Sequence, residues 1–280
     1  MYFYSTGQNY VPNMKPPLGA VPNPHSSFSD GVVGDWPFWE NGGTTVFDLS
    51  GNGITATFGS SAGWTSGPLG PAIQFPGDTD YLFCGSSPLL KFGLSDKSIV
   101  VYLRIDTVAA LNGIIMAGGK TNADEGWHFR YDDAGNYFRL TLSNGSSRGY
   151  FDSNTGAAAI EDGNWHQVAL TADRDNNANF YLDGVSIGGQ SISGWQGQDI
   201  QGNNNLLFSD YISTTWDVIG AIDMPIMYNR ALSASEIALL YREPFIRYRW
   251  TLPELIHYYS APVGNAGIMT PNTGFWGPTF

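Results

Sequence analysis

The 280-residue chain carries 13 Lys and Arg against 25 Asp and Glu, a formal charge of -12, and so excludes a nucleic-acid binder, which needs a clustered basic surface to displace counterions. A single cysteine, Cys84, excludes an intramolecular disulfide and a cysteine-built metal site, and no apolar run approaches the roughly 20 residues of a membrane span. Aromatic residues make up 14% of the chain, which is too many for a disordered polyampholyte and points to a folded, turn-rich protein.

Residues 1–31 read as an extended arm, because Pro12, Pro16, Pro17, Pro22 and Pro24 forbid helix. The arm lacks the basic start and apolar stretch of an export signal. Its Tyr2, Phe3, Tyr4 and Tyr10 are more aromatics than a solvated linker uses, and predict docking on another surface. Residues 32–242 predict one β-domain. Ser98–Arg104, Gly126–Tyr131, Tyr137–Leu142, Trp165–Ala172 and Asn179–Leu182 read as strands, with Trp127, Phe129 and Tyr131 on one face and His128 and Arg130 on the other. Asp133–Asn136, Asn144–Ser146, Asp173–Asn176 and Asp183–Gly184 have hairpin-turn chemistry. Such spacing, without amphipathic helices between strands, predicts an all-β, two-sheet antiparallel jelly-roll sandwich. Its predicted core includes Trp36, Phe75, Trp165, Val168 and Tyr181. One short helix follows, opened by a capping box of Ser233 and Glu236 and ended by Pro244. Residues 243–280 form a second aromatic, Pro/Gly-rich arm with Trp250, Tyr258, Tyr259, Phe275 and Trp276.

Five segments in order resemble the laminin-G-like, concanavalin A-like jelly-roll family. They are Val33–Phe38, the loop Asp48-Leu49-Ser50-Gly51-Asn52-Gly53, Ala72–Gly77 with Asp80-Tyr81, Asp162–Ala169 with Tyr181–Gly184, and Ile222-Asp223 with Tyr228–Ile237. The resemblance implies the same jelly roll. It does not imply one function, because the family spans lectin-like modules, adhesion domains, domains attached to hydrolases and phage virion proteins. It does imply a structural calcium site, carried onto Asp48, Asn52 and Asp223. Ile54 and Met224-Pro225 stand where related domains often supply further oxygen ligands. The alternative is a turn in which Asp48 and Asn52 satisfy their own backbone.

No paired-carboxylate motif of the jelly-roll hydrolases occurs, nor any G-x-S-x-G or H-E-x-x-H, and the four histidines are scattered. The chain therefore reads as a non-enzyme. Trp64, Trp195 and Trp216 lie in Gly/Ser/Thr-rich loops, where an indole face can stack on a sugar or can pin its loop to the body. Three functions are expected in decreasing order. The first is a structural or decoration protein on a tailed-phage virion surface, assembling with itself or other virion subunits through the arms and binding glycans on its outer face. The second is an extracellular carbohydrate-binding or adhesion module, and the third a jelly-roll glycoside hydrolase.

Overall fold

Apolar residues at every second position of a strand feed a different layer from each of its faces, and in this protein both faces of one sheet are used. The computed structural model describes residue 15 and residues 22–77, 79–108, 112–119, 125–154, 158–202, 206–209 and 218–248. Chain order begins with β1 (Val32–Asp35), β2 (Thr45–Val46), β3 (Ala56–Gly59), β4 (Gly63–Ser66), β5 (Pro71–Phe75) and β6 (Tyr81–Phe83). The central strands are β7 (Lys97–Val108), β8 (Asn112–Gly118), β9 (Glu125–Asp132), β10 (Tyr137–Asn144) and β11 (Arg148–Asp152). β12 (His166–Ala172), β13 (Asn177–Leu182), β14 (Val185–Ser191), β15 (Leu206–Phe208), β16 (Val218–Tyr228) and the helix α1 (Ala234–Arg242) complete the described elements.

The first sheet runs β14-β13-β12-β7-β16-β5-β4, with β1 also pairing on β16; the second runs β11-β10-β9-β8-β15-β6-β3-β2. Every pairing between these strands is antiparallel, and the all-β sandwich expected from the strand pattern is what forms. Ile99, Val101, Leu103 and Ile105 of β7 point between the sheets, meeting Phe129 and Tyr131 of β9 and Phe138, Leu140 and Leu142 of β10 in the main core. The intervening Val100 and Tyr102 point the other way, into a second core with Ile237 and Leu240 of α1, Phe28 and Phe245. Burial of each such side chain stabilises the fold by about 1.5–3 kcal/mol at most.

Of the predicted core residues, Trp36, Phe75 and Val168 are fully buried and Tyr181 nearly so. Trp165 is only half-buried, because it sits at the margin of the second core with Arg104 over its ring at 5.4 Å. The capping box forms as predicted: the Glu236 amide donates to Ser233 Oγ at 3.2 Å and the Ser233 amide to Glu236 Oε2 at 2.8 Å. Packing continues past both expected domain limits. Lys15, Asn23 and Phe28 on one side and Phe245 and Arg247 on the other are part of the packed body. The aromatic arm residues Tyr2, Phe3, Tyr4, Tyr10, Trp250, Tyr258, Tyr259, Phe275 and Trp276 lie outside the described residues, as does Trp216.

One irregularity positions everything that follows. β16 pairs with β7 along its length, but its other edge is shared by β5, at Gly220–Ile222, and β1, at Ile226–Tyr228. Pro225 cannot donate to a ladder, and Met224 takes a left-handed φ of 47°. The register on β7 accordingly slips between Asp223 and Ile226, a bulge that bends the strand and re-aims its side chains. The Pro225 carbonyl accepts from the Trp36 amide at 3.1 Å instead.

Candidate functional site

The Asp48–Gly53 loop closes on itself. Asp48 Oδ1 accepts from the amides of Asp35 at 3.0 Å and Ser50 at 2.8 Å, and Oδ2 from Ser50 Oγ at 2.7 Å and the Ile54 amide at 3.0 Å. Asn52 Nδ2 donates to the Val33 carbonyl at 3.2 Å and Ser50 Oγ at 3.1 Å, while Gly51 and Gly53 take φ of 89° and 67° to make the turn.

Asp223, at the bulge, is engaged elsewhere. Its Oδ1 takes the Lys15 ammonium at 2.7 Å and its Oδ2 the Leu69 amide at 3.2 Å. Lys15 Nζ also donates to the Pro71 carbonyl at 2.5 Å and lies 6.0 Å from the Phe38 ring centroid. Burial pushes the Asp223 carboxyl up to about 6 against the pull of Lys15, and lowers the Lys15 ammonium against the pull of Asp223.

A calcium ion needs six to eight oxygen ligands. Here Asp48 already accepts from the Ser50 amide and hydroxyl and from the Asp35 and Ile54 amides, and an ammonium already holds Asp223. Among the described residues no group of three His, Cys, Asp or Glu is arranged around a common point. The residues as placed do not fit a resident calcium. Excess chelator is therefore expected to leave the melting temperature unchanged, and a fall of several degrees would put a metal back at this loop.

The loop tryptophans split. Trp64, on β4, donates from Nε1 to the Gly43 carbonyl at 2.8 Å and packs against Phe58 and Phe38 at ring distances of 5.4 and 6.4 Å. Trp195 meets Phe151 edge-on at 6.4 Å, and its carbonyl accepts from Arg174. Both are partly buried against the main core, which is how a tryptophan pins a loop.

His166, the histidine of the β12 hairpin, lies between Asp183 Oδ2 at 2.8 Å from Nδ1 and Asp162 Oδ1 at 3.2 Å from Nε2. Burial opposes its charge, but the two carboxylates outweigh it and raise the imidazole above its ordinary value. A raised value means the folded chain holds the proton more tightly than the unfolded one. The stabilisation is complete below about pH 6.5 and lost as pH rises through the folded value. Stability is thus expected to fall with pH above neutrality in the native chain, and His166→Gln to flatten that slope in denaturation series at successive pH values.

A cleft of about 640 Å³ opens between the turn that precedes β1 and the Leu49–Gly51 face of the closed loop. The turn is held by its own chain, Ser29 Oγ donating to the Asn23 carbonyl at 2.7 Å, and by Arg230, which donates to the carbonyls of Asp30 at 3.1 Å and Ser27 at 2.9 Å and to Glu236 at 2.8 Å. Ser26, Ser27, Ser29 and Ser50 line the cleft together with His25 and Arg247, and among the described residues Asp30 is the one carboxylate lining it.

Arg247 is 1% exposed. Its Nη2 donates to Asp35 Oδ2, which also accepts from the Tyr248 hydroxyl at 2.9 Å. Desolvation opposes the guanidinium charge, but Asp35 and the flanking Tyr248 and Tyr228 hydroxyls more than restore it; burial lifts the Asp35 carboxyl above its usual range against the pull of Arg247. Arg247 Nε and Nη1 are closed off from solvent, and the Tyr228 hydroxyl beside the guanidinium donates to the Phe28 carbonyl at 3.2 Å. Reading the sequence alone misses Arg247, Asp35 and Lys15 as site residues. The available signal is a pair of arginines, Arg247 and Arg249, set between the aromatic residues of the Phe245–Trp250 run.

No curated protein matches the chain. Solved structures similar to it include the binding domain of Paraclostridial Mosquitocidal Protein 1, at 18% identity and a TM-score of 0.60 over 76% of this chain and 52% of that one. The botulinum neurotoxin serotype G binding domain aligns at 20% identity and a TM-score of 0.57, over 75% and 50% of the two chains. The serotype D ligand-binding domain in complex with N-acetylneuraminic acid aligns at 13% and 0.58, over 76% and 51%. The chain thus spans about half the length of these neighbours, and at such identity the likeness is one of fold. A family profile described as the Concanavalin A-like lectin/glucanases superfamily matches residues 76–238. With that match over more than half of its length, on the two-sheet sandwich described above, the chain belongs to the concanavalin A-like lectin/glucanase superfamily.

Proposed function

We propose that the protein is a non-enzymatic binding module that recognises a saccharide in the cleft beside the Asp48–Gly53 loop. The observation that carries this reading is a cleft of about 640 Å³ lined by Ser26, Ser27, Ser29 and Ser50, residues whose hydroxyls can both donate to and accept from the hydroxyls of a sugar. The cleft volume lies in the range of ligand sites. Similar domains from toxins are binding domains, one of them solved with N-acetylneuraminic acid. A glycosidase needs two carboxyl groups across its scissile bond, whereas among the described residues Asp30 is the one carboxylate lining this cleft. A glycan array probed with the full chain tests the reading: reproducible binding to defined glycans is expected, and a blank array at high protein concentration would overturn it.

The aromatic composition of the two terminal segments supports a finer reading, in which the module decorates a virion surface and assembles through Tyr2, Phe3, Tyr4, Tyr10 and Trp250, Tyr258, Tyr259, Phe275, Trp276. Because Lys15 and Arg247 are part of the packed body, the informative truncation removes only residues 1–14 and 250–280. The remaining chain is expected to stay folded and monomeric while losing self-association or particle binding. Unchanged assembly would remove that reading and leave the cleft untouched.

A further inference from the structure

Among the described residues, Lys15–Asp223 is the one ion pair that joins a primary amine to a carboxyl; the others use arginine or histidine. A guanidinium keeps its proton in a protein, whereas a lysine stripped of solvent becomes a nucleophile. The side chains of the pair are 7% and 0% exposed, with Nζ 2.7 Å from Oδ1. Two glycines let them meet: a Cβ on Gly70 would stand 3.1 Å from Lys15 Cδ, and one on Gly67 would stand 2.5 Å from Asp223 Oδ2. The walls are apolar, with the Phe38 ring 6.0 Å from Nζ and Leu69, Ala72 and Met224 buried around the carboxyl. Burial moves the two groups toward one another, the ammonium downward and the carboxyl up to about 6. Passing a proton from Nζ to Oδ1 therefore costs less here than in water, and leaves a neutral amine against a neutral acid. A second carboxylate, Glu40, is near enough to act on the ammonium. Its Oε1 accepts from the Phe47 amide at 2.8 Å, and its Oε2 is buried without a hydrogen bond.

We propose that Lys15 and Asp223 condense to an intramolecular amide that ties residue 15 covalently to β16. The ion pair is the reactant. One proton moves from Nζ to Oδ1, and the freed lone pair forms the Nζ–Cγ bond. The carbonyl π pair moves onto Oδ2, which accepts from the Leu69 amide at 3.2 Å; the Met224 amide also donates to this carboxyl. Backbone donors fixed in place in this way stabilise the tetrahedral oxyanion. Glu40 takes a second proton from Nζ and delivers it to Oδ1, the Cγ–Oδ1 bond breaks, water leaves and the carbonyl re-forms. The third proton stays on the amide nitrogen, facing the Pro71 carbonyl that lies 2.5 Å from Nζ. No oxidant, reductant or cofactor is consumed. Holding the amine against the acyl carbon replaces an encounter in solution. The amide closes a loop between residues 208 apart, which removes freedom from the unfolded chain. Chains that have not condensed keep the ion pair and the titration of Asp223.

The test is the intact mass of the full chain under denaturing conditions, at purification and after a week in native buffer. A species lighter than the sequence by one water is expected, and its protease digest should contain a branched peptide joining Lys15 to Asp223. Lys15→Arg keeps a cation against Asp223 and should stay at its sequence mass. Glu40→Gln, checked for an unchanged circular dichroism spectrum, should slow the appearance of the lighter species at least about tenfold. The branched peptide, absent from Lys15→Arg, supports the proposal. Water loss that persists in Lys15→Arg is dehydration of another kind, such as a succinimide at Asp223, and overturns it. A chain that stays at its sequence mass in both samples overturns it as well. Equal rates in the native chain and Glu40→Gln overturn Glu40 as the proton carrier.

Discussion

Replacing Lys15 with methionine is expected to lower the unfolding free energy by about 3 kcal/mol at pH 7.5, because it leaves the Asp223 carboxylate buried without its cation. The side chains of the pair are 7% and 0% exposed, and the remaining partners of Asp223 are backbone amides of Leu69 and Met224. The loss should depend on pH in a defined direction. With Lys15 present, burial already lifts the Asp223 carboxyl from 3.8 to about 6, so its folded form holds the proton more tightly than the unfolded chain. Its contribution is complete below about pH 4 and lost as pH rises through about 6. Removing the ammonium lifts the carboxyl further. Lys15→Met should then cost least near pH 5, where Asp223 is neutral, and most near pH 8. Lys15→Met with Asp223→Asn should regain most of the loss, since the amide keeps an acceptor for Leu69 and needs no counter-charge. Urea denaturation of the three proteins at pH 5 and 8 decides the matter. A single-variant loss below about 1 kcal/mol at both values would mean that Lys15 does not hold Asp223.

That pair also shows why the fold is more legible in the sequence than the site is. Alternation is a local signal. Trp127, Phe129 and Tyr131 announce which face of β9 enters the core, and Ser233 with Glu236 announces the start of α1, because in each case the deciding partners lie within a few residues. Lys15 and Asp223 are 208 residues apart, and Arg247 and Asp35 are 212 apart. Nothing in a Pro-rich segment or an aromatic tail reveals which buried acid its basic residue will meet. The Asp48–Gly53 loop is intermediate. Its residues read equally as a metal loop or a self-satisfied turn, and the choice depends on whether donors from outside it arrive. The Asp35 and Ile54 amides do arrive, and Asp35 is brought there by a β1 pairing on β16 that no local pattern encodes. The tryptophans mislead for a related reason. A glycine-flanked indole looks exposed in sequence, yet Trp64 and Trp195 turn inward once Phe58 and Phe151 lie beneath them.

Asp35→Asn is expected to destabilise the fold by about 3–4 kcal/mol, roughly a 10 °C fall in melting temperature for a domain of this size. The substitution changes no volume. It removes the negative charge beneath a guanidinium that is 1% exposed, and the amide can face Arg247 Nη2 or the Tyr248 hydroxyl but cannot balance the charge. The expected loss exceeds what one neutral hydrogen bond supplies, about 1 kcal/mol. Asp35→Asn with Arg247→Met should recover a large part of it by deleting the stranded cation, and a double variant no more stable than the single one would show that Arg247 contributes packing and not charge.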